Sequence, residues 1–339
     1  MRLAALLLSA AAVLAAPAAL AQTAAAPPPL PPAAPWASPL AQDHPLVGSF
    51  WSTATGERLT PAQVVDRALD SRVVIVGERH DNPDHHALQA WLAEALVVGG
   101  RRPAVVYEMM ETDDQPAIDA WRAAGPADAA GLGDALDWAK TGWPDWPLYA
   151  PMAGTALAHG LPILAGNLPQ DTVRRLAREG LPALEAGLAA DLALATEDAP
   201  VVRDGLADDV RRGHCDLMPE AMLAPMALVQ RARDAMMARV VSRGLADPAA
   251  DTALLITGNG HAREDRGVPL RLAALGIPPE QVLTVAPLEV EDGVVDPAAY
   301  VTGREGAAAA AFDIVWFSPR VDDVDHCAAL RERMKNKKK

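Results

Sequence analysis

Short, nearly uninterrupted apolar runs punctuate this chain at Val73 to Val76, Ala104 to Tyr107, Pro162 to Ala165, Ala253 to Thr257, Val282 to Val285 and Asp313 to Phe317. A strand buried on both faces has this pattern, because neither face needs polar residues. Helical periodicity fills the gaps. Its clearest stretch, Asp84 to Val98, follows Pro83 at the first turn and carries Leu88, Trp91, Leu92, Ala95 and Leu96 at helical spacing. Strands alternating with helices predict an α/β fold, a mainly parallel sheet flanked by helices on both faces. Residues 170–245 are almost wholly helical in pattern and rich in Ala, Leu, Arg and Asp. They predict a helical subdomain inserted between strands, with extra sheet-covering helices as the alternative. No repeat of fixed period is present.

Composition then narrows the class. The 339 residues are 50% hydrophobic and 22% charged, the balance of a globular protein with a sizeable core. Met1 and Arg2 precede an apolar stretch to about Ala16 and then Ala19-Leu20-Ala21, the pattern of a secretory signal cleaved near Ala21. That stretch is too short for a good membrane anchor, and no later segment reaches ~18 uninterrupted apolar residues. The expectation is an exported protein, periplasmic or secreted, without stable membrane insertion. Residues 22–45 are Ala and Pro with few charges and predict a semi-extended tether. A single domain over 46–325 follows, and then a frayed basic tail over 326–339. The net charge of −14 argues against nucleic acid or an anionic membrane as partner. Only Cys215 and Cys327 are present, which excludes a disulfide scaffold and a Cys-rich metal site. Their pairing is left open, with their separation weighing against it. Neither follows the signal, so there is no lipobox cysteine.

In open parallel sheets, ligands bind beyond the carboxyl ends of the strands, where loops converge. Those ends here read Gly77-Glu78-Arg79-His80, Glu108, Gly166-Asn167 and Gly258-Asn259-Gly260-His261. A Gly-x-x-His pattern repeated at two strand ends is the sharpest signal in the chain. Glycine lets the backbone turn off the strand, and His80 and His261, with Glu78 or Glu108, are equipped to bind a metal, orient a substrate or exchange protons. A single such residue would more simply cap a helix or satisfy a loop; the repetition favours a shared site. His85 and His86 are weaker candidates, because neighbours on a helix point about 100° apart. One of them is expected on the surface, and the spacing is not that of H-E-x-x-H. Tyr149, set among Trp138, Trp143, Trp146, Pro147 and Pro151, fits a wall or axial ligand of a flat apolar cofactor. A rigid aromatic corner on the core explains the cluster equally well. Met218, Met222, Met226, Met236 and Met237 suit an adaptable pocket, though such residues more often fill a core. Arg233-Asp234 reads first as an ion pair, and second as an anion contact.

Five segments together resemble one family: VVIVGERHDNPDHHALQ (73–89), WPDWPLYAPM (143–152), HCDLMPEAM (214–222), QRARDAMMA (230–238) and ITGNGHAREDRGVP (256–269). The chain resembles the ChaN-type haem-binding uptake domain, within a superfamily that also holds Tiki, TraB and erythromycin-esterase-like proteins. The resemblance implies a helix-flanked parallel sheet and a role in haem iron uptake. It also implies haem held between two subunits of a homodimer with a tyrosine as iron ligand, for which Tyr149 is the candidate here. His80, His261, Asn167 and Arg233 are the further candidate ligand contacts. The superfamily's hydrolases imply an alternative, in which Glu78, His80, Glu108 and His261 are catalytic and hold a divalent metal. Both readings, haem binder and metal-dependent hydrolase, stand at this point. Characterised relatives are lipoproteins, and in that respect this chain departs from them.

Overall fold

The computed structural model describes residues 35–125, 128–302 and 311–336. The expected signal and the first part of the expected tether lie outside the described residues. Eight strands form one sheet: β1 (Phe50–Ser52), β2 (Arg58–Leu59), β3 (Val73–Val76), β4 (Pro103–Glu111), β5 (Ile163–Asn167), β6 (Thr252–Ile256), β7 (Val282–Glu289) and β8 (Ile314–Ser318). The helices are α1 (Pro61–Asp70), α2 (Pro83–Val98), α3 (Gln115–Ala123), α4 (Ala129–Ala135), α5 (Ala150–Ala158), α6 (Gln170–Glu179), α7 (Ala186–Asp191), α8 (Pro200–Gly213), α9 (Glu220–Leu245), α10 (Val268–Ala274), α11 (Pro297–Thr302) and α12 (His326–Asn336). All six strands read from the apolar runs are present. The sequence pattern did not show β1 and β2, which are too short to carry a period.

The sheet order is β2-β1-β8-β7-β3-β6-β4-β5, parallel except for β1 and β2. Strand β6 arrives late in the chain yet sits between β3 and β4. Val76 pairs with Ile256, and Ile256 with Tyr107. The next residues, Gly77, Thr257 and Glu108, therefore stand in one row at the carboxyl edge. The side chains alternate as the pleat requires. Val74, Val76, Tyr107 and Ile256 enter the core under α2 and α5, whereas Val73, Ile75, Val106 and Leu255 enter the core under α9 and α10. A helix caps each face, which is why the strands read as continuous apolar runs.

Within the expected helical subdomain, α9 covers the sheet directly, against β4, β5 and β6, and α6 and α8 pack on α9. Near its C-terminus Gly244 lies so close to the start of β4 that an added Cβ would stand 2.9 Å from the Ala104 Cβ. The expected tether also ends earlier than Pro45. Trp36 packs on Trp316 with ring centres 5.9 Å apart, and Ala37 and Ser38 donate their N–H groups to Asp84. Leu40 forms a bridge with Arg320. Apolar area on Trp36 and the need of buried Asp84 for donors hold this segment down.

The tail is corrected likewise. Residues 326–336 form α12, fastened by a Cys215–Cys327 disulfide that the sequence separation of 112 had weighed against. The topology brings the two cysteines to a Cα–Cα distance of 5.4 Å. A cross-link over so long a segment limits the unfolded ensemble and contributes about 2–4 kcal/mol. The Cys215→Ser/Cys327→Ser protein is expected to lose that amount in urea unfolding, with a steeper slope because its unfolded chain is less compact. Equal midpoints for the two proteins would show that the bond adds nothing to stability.

Candidate functional site

Each histidine of the paired motifs carries its own carboxylate. After β3 the chain turns so that Glu78 is buried, and His80 Nδ1 lies 2.6 Å from its Oε1. Gln89 of α2 donates to Glu78 Oε2 at 2.6 Å and to the Gly77 carbonyl at 3.3 Å. His86, one turn earlier on α2, has Nε2 at 2.9 Å from the His80 carbonyl and Nδ1 at 3.4 Å from Glu78 Oε2. The His80 ring rests edge-on against Trp143, with centres 4.8 Å apart, and its side chain is 35% exposed. Gly258 lies close beneath it, where an added Cβ would stand 3.0 Å from His80 Nε2 and the ring would have to give way.

The second half is built on Glu108. Its Oε2 accepts from the Thr257 hydroxyl at 2.6 Å and the Gly258 N–H at 2.7 Å; its Oε1 accepts from Arg233 of α9 at 2.6 Å. Arg233 also donates to Asn167 Oδ1 at 3.1 Å and Gln230 at 3.2 Å. His261 sets Nδ1 against Asp234 at 2.5 Å and Nε2 at 3.4 Å from Glu108 Oε1. Glu78, His80, Glu108, Asn167, Arg233 and His261 are thus gathered at one edge of the sheet.

Electrostatics follow from burial and partners. Burial alone would raise the Glu108 pKa, but His261, Arg233, His80 and the Thr257 hydrogen bond outweigh it and bring it down to about 2. Burial would lower the His80 pKa; the Glu78 hydrogen bond and the Glu108 and Glu78 charges reverse this and raise it. Asp234 is raised by its burial, against the pull of His261.

Three expectations are corrected. Tyr149 is only 1% exposed and lies under the site: its hydroxyl is 3.4 Å from Glu78 Oε1 and its ring packs on His86 and Trp138. Burial and the Glu78 charge raise its pKa, the opposite of what a phenolate iron ligand needs. Secondly, both His85 and His86 are buried. His85 accepts the Arg79 N–H at Nδ1 and so donates from Nε2 to Ser318, with burial holding it neutral. Thirdly, the expected metal set of Glu78, His80, Glu108 and His261 is not assembled. Among the described residues no three His, Cys, Asp or Glu side chains are grouped to hold a metal ion; Glu108 instead faces Arg233, Thr257 and Gly258. The pattern also missed Asp234 as the partner of His261, together with Gln89, His86 and Thr257. The Asp234–His261 pairing spans helix and loop, so no local spacing signals it.

The family model for the haem-binding uptake proteins of the Tiki superfamily, ChaN, matches residues 64–272, well over half the chain. The chain belongs to this ChaN family. The fold of ChaN of Campylobacter jejuni, solved with cofacial haem, aligns with a TM-score of 0.59 at 20% identity. The alignment covers 79% of this chain and 95% of that one. An erythromycin esterase, EreC in its open conformation, aligns over 80% of this chain and 99% of its own at 13% identity and a TM-score of 0.44. No curated protein sequence matches. In this ChaN-family chain the matched region carries both Gly-x-x-His motifs together with Glu108, Asn167, Arg233 and Asp234.

The depressed Glu108 pKa sets a pH window. Its contribution is fully present above the unfolded value of 4.5 and is lost as pH falls towards 2. The shift corresponds to ~3 kcal/mol. Glu108→Gln should be less stable than the parent by roughly that amount at pH 7, and the difference should close by pH 2. Urea titrations across this range check it; parallel pH profiles for the two proteins would refute it.

Proposed function

We propose that this chain is an exported haem-binding protein of iron uptake, and that it takes haem as cargo in the crevice beside His80. One observation carries the reading beyond family membership. A buried carboxylate, Glu78, fixes His80 Nδ1 at 2.6 Å and leaves Nε2 of a 35% exposed ring as a donor. A carboxylate behind a histidine orients metal-ligating imidazoles and raises their basicity. The ring of Trp143 stands against it as an apolar neighbour for a flat ligand. The iron donor in this reading is His80 rather than a tyrosine. Tyr107 and Tyr149 are buried, and Tyr300 hydrogen-bonds within the segment after β7. Family likeness also supports two subunits around the ligand. The leader pattern of residues 1–21 supports export, and no helix among the described residues is long and apolar enough to cross a membrane.

Titration of the purified protein with haemin should give a saturable Soret shift at micromolar concentration. His80→Ala should weaken it at least about tenfold, ~1.4 kcal/mol or more, and Tyr149→Phe should leave the Soret band in place. A wild-type protein without a saturable shift would sink the haem reading.

A second reading is favoured by the two carboxylate-held imidazoles, Glu78–His80 and Asp234–His261, on either side of Glu108. Such pairs suit proton transfer in ester or amide hydrolysis. His261 would exchange the proton at Nε2 while Asp234 holds its tautomer. Turnover on ester and peptide panels, with and without added Mn or Zn, should fall at least about a hundredfold in His261→Ala. Turnover that is equal in both proteins would eliminate this reading.

A further inference from the structure

Helix α12 has no buried residue among those whose side chains are described, His326 to Arg333, and it makes only slight contact with the other helices and strands. Its 11 residues are also too few to hold a helix in water on their own. Two things fasten it: the Cys215–Cys327 disulfide, which grips the turn between α8 and α9, and the segment that leads into the helix.

That leading segment lies along the loop of the first Gly-x-x-His motif. Arg79 donates to Asp322 Oδ2 at 3.0 Å, and His326 Nε2 lies 3.4 Å from the same guanidinium. Glu289 joins loop and segment: its Oε1 accepts from Val321 N–H at 3.0 Å and from Asn82 at 2.9 Å, and its Oε2 accepts from Arg79 at 2.6 Å. Asn82 also donates to the Pro319 carbonyl at 3.2 Å. Arg79 precedes His80 in the chain, and Asn82 caps α2. On its other side the disulfide holds the turn that leads into α9, the helix that carries Arg233 to Glu108 and Asp234 to His261. One covalent bond therefore ties the brace of the His80 loop to the chain entering the helix of the second motif.

The two cysteines sit in different surroundings. Cys215 is 8% exposed, whereas Cys327 is half-buried between exposed His326 and Ala328, so a reductant reaches the bond from the Cys327 side. Cys215 and Asp216 both have a φ of 57°, two consecutive residues other than glycine in the left-handed region. Such a backbone persists only where its surroundings impose it, and the disulfide is one of the constraints that do so.

We infer that Cys215–Cys327 is a reducible clasp. Its opening frees α12 and the segment before it and loosens the Arg79 to Asn82 loop beside His80, while the sheet stays folded. The reductant is a dithiol. One of its thiolates attacks the Cys327 sulfur, the S–S bond breaks, and Cys215 leaves as a thiolate that takes up a proton. The second thiol then displaces Cys327 from the mixed disulfide, and the reductant departs as a cyclic disulfide. Two electrons and two protons pass to the protein. The clasp does not depend on which ligand the site takes.

Hydrogen exchange of the full chain with and without dithiothreitol tests the clasp, and alkylation followed by mass measurement reports the reduced fraction. Full reduction is expected in native buffer, with exchange at least about tenfold faster over 214–218, 320–333 and 78–82 and unchanged over β3, β4 and β6. The Cys215→Ser/Cys327→Ser protein should show the same pattern without reductant, its fold checked by circular dichroism. A bond that resists the dithiol until the chain unfolds, or reduction that alters no exchange rate, would overturn the clasp. Faster exchange throughout the sheet would also overturn it, since the bond would then be a staple of the whole fold. Faster exchange over 320–333 with 78–82 unchanged would overturn the link to the His80 loop.

Discussion

Glu108 ends the row of central strand residues with a carboxylate only 1% exposed, and an ionised group so placed is stable only when its lone pairs are filled and its charge is matched. Much of the site's architecture follows from that requirement. Thr257 and Gly258 meet Oε2 because the register sets the end of β6 beside β4. Arg233 meets Oε1 because α9 descends along the sheet, and the same arginine draws in Asn167 from β5. Removing any one partner leaves the others around an under-compensated charge. The network is therefore a single cooperative unit rather than a set of separate bonds.

The two Gly-x-x-His motifs acquire different characters from their surroundings, although their local patterns are alike. His80 lies at the mouth, with one nitrogen fixed and the ring partly in solvent. His261 is buried, with Asp234 on one side and Glu108 on the other. The outer imidazole is partly exposed, and the inner one is locked into the charge balance of the sheet edge. A site built this way combines a partly exposed imidazole, with Trp143 against it, and a rigid polar floor.

The strands, the helix after β3 and the gathering of polar residues at the carboxyl edge were legible in the sequence. Buried parallel strands write themselves as unbroken apolar runs, and topology then fixes where their ends lie. What escaped depends on neighbours distant in the chain. Tyr149 reads as a plausible ligand in its aromatic stretch, and only the packing of that stretch on α2 turns it inward beneath Glu78. Asp234 reads as the partner of Arg233, yet it turns to His261 while Arg233 turns to Glu108. The disulfide and the anchoring of Trp36 belong to the same class, because proximity between far segments has no local signature.

The position of β6 has a consequence for how the protein acquires its function. Strands β3 and β4 are close in sequence but never pair; β6, entering some 150 residues after β4 begins, lies between them. Until it is inserted, the first half of the chain has no partner for the inner edges of either strand, and Glu108 has neither Thr257 nor Gly258. Loop closure over such a distance is slow, and unpaired apolar edges are open to wrong partners in the meantime. The candidate site and the central sheet are therefore completed by the same late event, and a chain that has not finished folding lacks both.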